Sequence, residues 1–137
     1  MKITSVKSHV LKYELDKELG YSQQYYKHRT AHLVEVKTDE GITGWGECFG
    51  PGSIALANKF IVENVIQPLV IDENPLSKEH IWQKVYNLLR DSGQKGMPIQ
   101  ALSGIDIALW DILGKRTKTP LYQLVGGKCN DKVPVYG

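Results

Sequence analysis

The chain has 137 residues, 42% hydrophobic and 23% charged, which is the balance of a soluble globular domain and is too short for a (β/α)8 barrel of about 250 residues. Seventeen Lys and Arg against fifteen Asp and Glu leave a net charge of +2, which excludes a strongly basic nucleic-acid arm and a strongly acidic tail. Cys48 and Cys129 stand too far apart for a disulfide framework or zinc spacing, so a reducing, cytoplasmic setting is expected. The opening MKITSVKSHVLKYEL has no continuous apolar stretch, so it does not read as a signal peptide, and no apolar run reaches the ~20 residues of a membrane span.

In chain order, residues 2–13 hold Ile3, Val6, Val10 and Leu11 among polar residues and predict a strand. Residues 14–29, ELDKELGYSQQYYKHR, show no period and are expected to form a long loop whose tyrosines argue against disorder. Residues 31–37 alternate as a second strand, Thr38-Asp-Glu-Gly41 is a hairpin turn, and residues 42–48 form the returning strand. Gly44 and Gly46 beside Trp45 imply a close backbone approach or a bulge. Phe49-Gly-Pro-Gly52 ends that strand.

Helical spacing follows. Ser53 is the expected N-cap of a helix with the stripe Ile54, Ala57, Phe60, Ile61, Val65 and Ile66, ending at Pro68. A second helix carries Ile81, Trp82, Val85, Tyr86, Leu88 and Leu89. A glycine-containing loop, Asp91 to Gly96, precedes a third helix that starts near Pro98 and carries Ala101, Leu102, Ile105, Ala108, Leu109, Ile112 and Leu113. Residues 120–125 form a short last helical turn, closed by Gly126-Gly127, and Val133 to Gly137 read as the start of a strand. Strands first and helices afterwards predict an α+β fold, a three-stranded antiparallel sheet followed by a layer of three to four helices.

No phosphate-binding, zinc-protease or nucleophile-elbow motif occurs. His9, His28, His32 and His80 share no ligand spacing and read as surface or loop imidazoles, with His28 kept open because it adjoins Arg29. Glu47 reads either as catalytic or as a structural acid at a strand end, the latter preferred. Asp106 and Asp111 lie five apart, off a common helix face, so each is expected to hold a neighbouring segment instead of forming a carboxylate pair. Lys2, Lys7 and Lys12 read as a solvated strand edge. The segment around Tyr21, Gln23, Gln24, Tyr25, Tyr26, Lys27, His28 and Arg29 combines stacking rings, amide donors and cations. Arg29 can grip a carboxylate with two parallel hydrogen bonds, so the set suits a small polyhydroxylated acid. The competing reading is an exposed polar loop.

The run Ala101-x-Ser103-Gly104-Ile105-Asp106-x-Ala108-Leu109-Trp110-Asp111-Ile112-x-Gly114-Lys115, then Pro120-Leu121-x-x-Leu124-Val125-Gly126, resembles the signature of the mandelate racemase/muconate lactonizing enzyme group of the enolase superfamily. Asp39-Glu-Gly41-Ile-x-Gly44-Trp45-Gly46-Glu47 and the opening Met1-Lys-Ile-Thr are similar to the same N-terminal domain. The stretches around Gly44–Pro51, Tyr86–Gly96 and Ala101–Asp111 look like bacterial galactarolactone cycloisomerases, and neighbouring acid-sugar dehydratases share much of them.

The resemblance implies a capping domain over residues 1–132, with 133–137 as the truncated start of the first strand of a barrel that is absent. It implies that the barrel holds Mg2+ through ligands outside this chain and supplies the bases that remove a proton α to a carboxylate, giving an enediolate that the metal stabilises. The capping loops, on roughly residues 15–29 and 48–53, would close over the substrate and set specificity. The implied substrate contacts are Tyr21, Gln24, Tyr26, His28, Arg29 and Phe49, with no catalytic residue and no metal ligand in the chain. The implied partners are its own missing C-terminal barrel, a sugar acid or lactone and further copies in a homo-oligomer, with neither nucleic acid nor membrane. The isolated chain is expected to have no turnover. A non-catalytic binding or assembly module is the alternative, and a dehydratase parent is the alternative to a cycloisomerase.

Overall fold

The structure is a computed structural model that describes residues 1–136. Three strands run β1 (Ile3–Tyr21), β2 (Gln24–Thr38) and β3 (Thr43–Cys48), in the spatial order β1-β2-β3, all antiparallel. Helices α1 (Ile54–Phe60), α2 (Gln67–Val70), α3 (Lys78–Leu88), α4 (Met97–Thr117) and α5 (Leu121–Leu124) follow. The architecture is the expected α+β, a three-stranded antiparallel sheet backed by helices. No described helix is long and apolar enough to cross a membrane.

The sheet buries one face, as alternation requires. Ile3, Val6, Val34, Val36 and Cys48 point inward against Val62, Ile66, Ile81, Val85, Leu102, Ile105, Leu109 and Ile112. The predicted stripe of α4 is buried from Ala101 to Ile112, and Leu113 at its end is half-buried. A 21-residue helix with a continuous apolar face is a strong signal because every turn repeats it.

Gly44 and Gly46 mark close approach, and no bulge interrupts their strand pair. The β2–β3 register runs unbroken from His32↔Cys48 to Lys37↔Thr43. A Cβ built on Gly46 would strike the Gly104 carbonyl oxygen, and one on Gly44 the Ala108 carbonyl oxygen. Helix α4 therefore rests on β3 backbone to backbone. The outer edge of β3 is closed by the same helix. Trp45 donates its N–H to Asp111 Oδ2 at 2.8 Å, and Lys115 Nζ donates to the Thr43 carbonyl at 2.7 Å and to Asp111 at 2.6 Å. Asp111 thus holds a neighbouring segment, and its edge strand is shielded from pairing with another chain.

Several expectations are corrected. Residues 14–29 are not a loop. They are the outer half of a long β1–β2 hairpin that turns at Ser22-Gln23. Three extra residues bulge from β1 between the pairs Glu14↔His28 and Leu19↔Tyr26. Beyond the reach of β3 this ribbon has no third strand, so even its inward positions on β2, Tyr26, His28 and Thr30, are only half-buried and no apolar alternation marks it.

The first helix also differs. Ala55, Asn58, Val62, Ile66 and Val70 face the core, while Ile54, Phe60 and Val65 are exposed. Ser53 makes no side-chain capping bond. The helix passes Pro68 because a π-helical stretch, Ile61–Ile66, precedes it, with Gln67 N–H bonded to the Val62 carbonyl. The wider turn makes room for the proline ring that an α-helix would drive into the carbonyl four residues back. It also rotates the downstream side chains relative to a 3.6-residue period.

His32 is fully buried, contrary to its expected surface position. Its Nε2 lies 2.9 Å from Ser8 Oγ, while Nδ1 has no partner among the described residues. Lys59 Nζ donates to the Ser8 carbonyl (3.1 Å) and to Glu63, whose Oε1 accepts the Ser8 N–H at 2.9 Å. Burial holds the His32 pKa below 6.5, with Lys59 adding to the effect and Glu63 opposing it. A histidine whose folded pKa is depressed contributes stability that is complete above its unfolded pKa. That stability is lost as pH falls from about 6.5 toward the folded value. We expect the urea midpoint to drop between pH 7 and pH 5.5, and His32→Gln to flatten that part of the profile. Glu63 titrates lower: burial raises its pKa, but hydrogen bonds from the Ser8 N–H and Lys59 outweigh this, so its window lies below 4.5. An unchanged slope in the variant would refute the assignment to His32.

Leu121–Leu124 forms the expected last helical turn. Residues 133–136 have no regular secondary structure, and Gly137, the end of the expected final strand, lies outside the described residues.

Candidate functional site

The outer hairpin and the Phe49–Gly52 turn face each other across a cleft of about 390 Å³. One wall comes from β2 and the end of β1. Tyr26, His28 and Thr30 continue the inward register of His32, Val34 and Val36 past the edge of the core, and are half-buried there. The other wall is the turn after β3, where Phe49 is largely exposed. Tyr21, Gln24, Tyr26, His28, Arg29 and Phe49, the six residues singled out from the sequence, all border this cleft. Gln23, Tyr25 and Lys27 do not; they lie at the hairpin turn or on its other face.

The polar groups are arranged with little mutual satisfaction. Tyr21 Oη donates to Gln24 Oε1 at 3.1 Å, which leaves the Gln24 amide nitrogen as a donor. Arg29 lies 4.9 Å from the Tyr26 ring centroid, a cation–π contact that steadies the guanidinium without neutralising it. Neither Arg29 nor His28 has an ion-pair partner among the described residues. Two other hairpin cations are engaged, whereas Lys17, away from the cleft, has no ion-pair partner among the described residues. Lys27 pairs with Glu18 across the strands at 3.2 Å, and Lys12 pairs with Glu14 at 2.6 Å. The Lys12 hydrogen bond holds the Glu14 carboxyl below its usual pKa. Arg29 therefore brings a guanidinium without an ion-pair partner to the cleft wall, which suits an anionic ligand.

Glu47 was read mainly as a structural acid. Its side chain makes no hydrogen bond among the described residues and lines the cleft instead. Strand alternation alone puts Glu47 on the face away from Cys48 and gives no signal of its place at the cleft edge. Cys48 itself is not a nucleophile here, since burial pushes its thiol up to about 12 and its Sγ points at the Ala101 carbonyl at 3.7 Å. No group of three or more His, Cys, Asp or Glu among the described residues could hold a metal ion. The cleft can bind and orient an acid. It offers no metal ligand set.

Residues 19–126 match the family model described as mandelate racemase / muconate lactonizing enzyme, N-terminal domain. The chain belongs to that family, within the enolase superfamily. It is 42% identical over 136 residues to a D-galactarolactone cycloisomerase of Agrobacterium fabrum, covering 99% of this chain and 35% of that protein. It is 38% identical over 94 residues to an arabinonate dehydratase of Saccharolobus solfataricus, covering 69% of this chain and 25% of the relative. Two crystal structures share the fold. An enolase superfamily member from Polaromonas superposes with a TM-score of 0.85 at 37% identity, over 93% of this chain and 34% of that one. The 3,6-anhydro-D-galactonate cycloisomerase of Zobellia galactanivorans does so with a TM-score of 0.80 at 30% identity, over 95% and 33%. The chain thus spans about a third or less of the length of these relatives.

Proposed function

We propose that this chain is the capping domain of an Mg2+-dependent enzyme that removes the proton α to the carboxylate of an acid sugar or its lactone. The observation that carries the proposal is the unpaired Arg29 and His28 on a cleft that also holds Tyr21, Gln24, Tyr26 and Phe49. The Arg29 guanidinium recognises the carboxylate, imidazole, amide and phenol groups recognise hydroxyls, and the rings shield the sugar from water. Glu47 faces the cleft as an acceptor for hydroxyl groups. Exposed Ile107, Leu121, Tyr122 and Val125 support a further domain covering the helical side. The metal ligands and proton-removing bases would then lie in that domain, outside this chain.

The 42% identity to a D-galactarolactone cycloisomerase favours a lactone substrate, while the dehydratase relatives support the second reading, loss of water from an aldonate. The test uses the full-length protein with Mg2+ in D2O, given D-galactarolactone or D-galactonate and followed by NMR. Ring isomerisation with deuterium at the α carbon supports the cycloisomerase reading. A 2-keto-3-deoxy product supports the dehydratase reading. No reaction and no exchange with either compound would refute both. The isolated chain is expected to leave both compounds unchanged.

A further inference from the structure

We infer that Asn58 is a positioning residue that fixes the Phe49 wall of the cleft, an inference that rests on the cleft being the substrate site. Asn58 sits on α1, outside the cleft, and is fully buried. Its Nδ2 donates to the Phe49 carbonyl at 2.6 Å and to Gln100 Oε1 at 3.0 Å. Both amide hydrogens are thus used on acceptors from two other elements. The turned-over amide would set its oxygen against two oxygens, so the side chain has one acceptable orientation. Its own Oδ1 has no partner among the described residues, and only the donor side sets its place.

The turn packs directly on this amide. A Cβ on Gly50 would lie 3.0 Å from the Ala55 nitrogen and 3.2 Å from Asn58 Nδ2, so the backbone of Gly50 lies against them. Beyond that contact the turn is held by two local bonds, Ile54 N–H to the Pro51 carbonyl (3.2 Å) and Ala55 N–H to the Gly52 carbonyl (3.3 Å). Both are long, so Asn58 is the principal restraint on where Phe49 stands. Gln100 carries the restraint to the first turn of α4, where its N–H bonds the Gly96 carbonyl at 2.9 Å. The position of one cleft wall is therefore referenced to the helix that also braces the sheet.

The test is hydrogen exchange on full-length Asn58→Ala, read at the amides of Ile54 and Ala55 and, as an internal standard, at Val34 and Val36 in the sheet. Exchange at Ile54 and Ala55 should rise about tenfold or more while the sheet amides stay within about twofold. In turnover of D-galactarolactone the variant should show KM raised about tenfold with kcat little changed, because a misplaced wall weakens binding more than chemistry. If the full-length wild type acts on neither D-galactarolactone nor D-galactonate, the proposed function fails while the exchange result still decides the role of Asn58. Equal acceleration at all four amides would make Asn58 an ordinary core residue, and no acceleration at Ile54 and Ala55 would remove the restraint altogether; either overturns the inference. Should Asn58→Ala not fold, Gln100→Leu decides: it should raise exchange at Ile54 and Ala55 about threefold, and no rise overturns the inference.

Discussion

Gly46→Ala should destabilise the domain by about 3 kcal/mol, at the upper end of overpacking effects. The added methyl meets the Gly104 carbonyl oxygen and lies 2.9 Å from the Ala108 nitrogen. Those atoms belong to the backbone of α4, so no rotamer change relieves the clash. The helix must lift off the sheet, and the dispersion contacts along the seam go with it. The seam is reciprocal: a Cβ on Gly104 would in turn strike Cys48 Sγ and come within 3.0 Å of Val34 Cγ2. Glu47→Ala, one residue along on the other face of the strand, should cost no more than about 0.5 kcal/mol. Urea unfolding followed by far-UV circular dichroism compares the two directly. A Gly46→Ala midpoint equal to that of wild type would show that α4 does not rest on β3 as described.

Arg29→Met should weaken sugar-acid binding by the full-length protein about 10- to 100-fold, measured by titration calorimetry. A hydrogen bond to a charged group contributes about 1.5–3 kcal/mol, and 1.4 kcal/mol is a factor of ten. Methionine keeps an unbranched stem and removes the guanidinium together with its cation–π contact to Tyr26. Arg29→Lys keeps the charge but loses the paired geometry, and should fall between the two. Thermal stability should fall by no more than about 1 kcal/mol, because Arg29 is exposed, carries no ion pair among the described residues and loses one exposed cation–π contact. An Arg29→Met protein that binds as tightly as wild type would remove the carboxylate from this end of the cleft.

The parts that could be read from the sequence are those with a period set by burial. Helix α4 buries one continuous face, and its residues repeat accordingly. The paired glycines on β3 signalled either contact or a bulge, and only the unbroken register and the approach of α4 decide for contact. The hairpin escaped detection because even its inward positions on β2 are only half-buried, so no apolar alternation marks it. Helix α1 was misaligned because small or polar residues, Ala55 and Asn58, face the core while Phe60 faces out, and because the π-helical turn shifts the period. His32 was misplaced because its partner, Ser8, comes from another strand. The six residues around the cleft were nonetheless found together. Rings, amides and a guanidinium on one segment stand out without a period, and the structure brings them to one cleft with Phe49. Glu47 lacks that company in sequence, which is why its strand-end position favoured the structural reading.

None of residues 11–31 belongs to the buried cluster that holds the domain together. The ribbon's side chains are thus answerable to whatever they grip, and hardly at all to folding. Tyr21, Gln24, Tyr26, His28 and Arg29 can change in an ancestral line with small loss of stability, whereas the seam under Gly44 and Gly46 tolerates almost no variation. Such a layout separates inheritance of shape from inheritance of taste. Under the proposed function, a gene duplicate would acquire a different appetite by rewriting one hairpin, with its scaffold left intact.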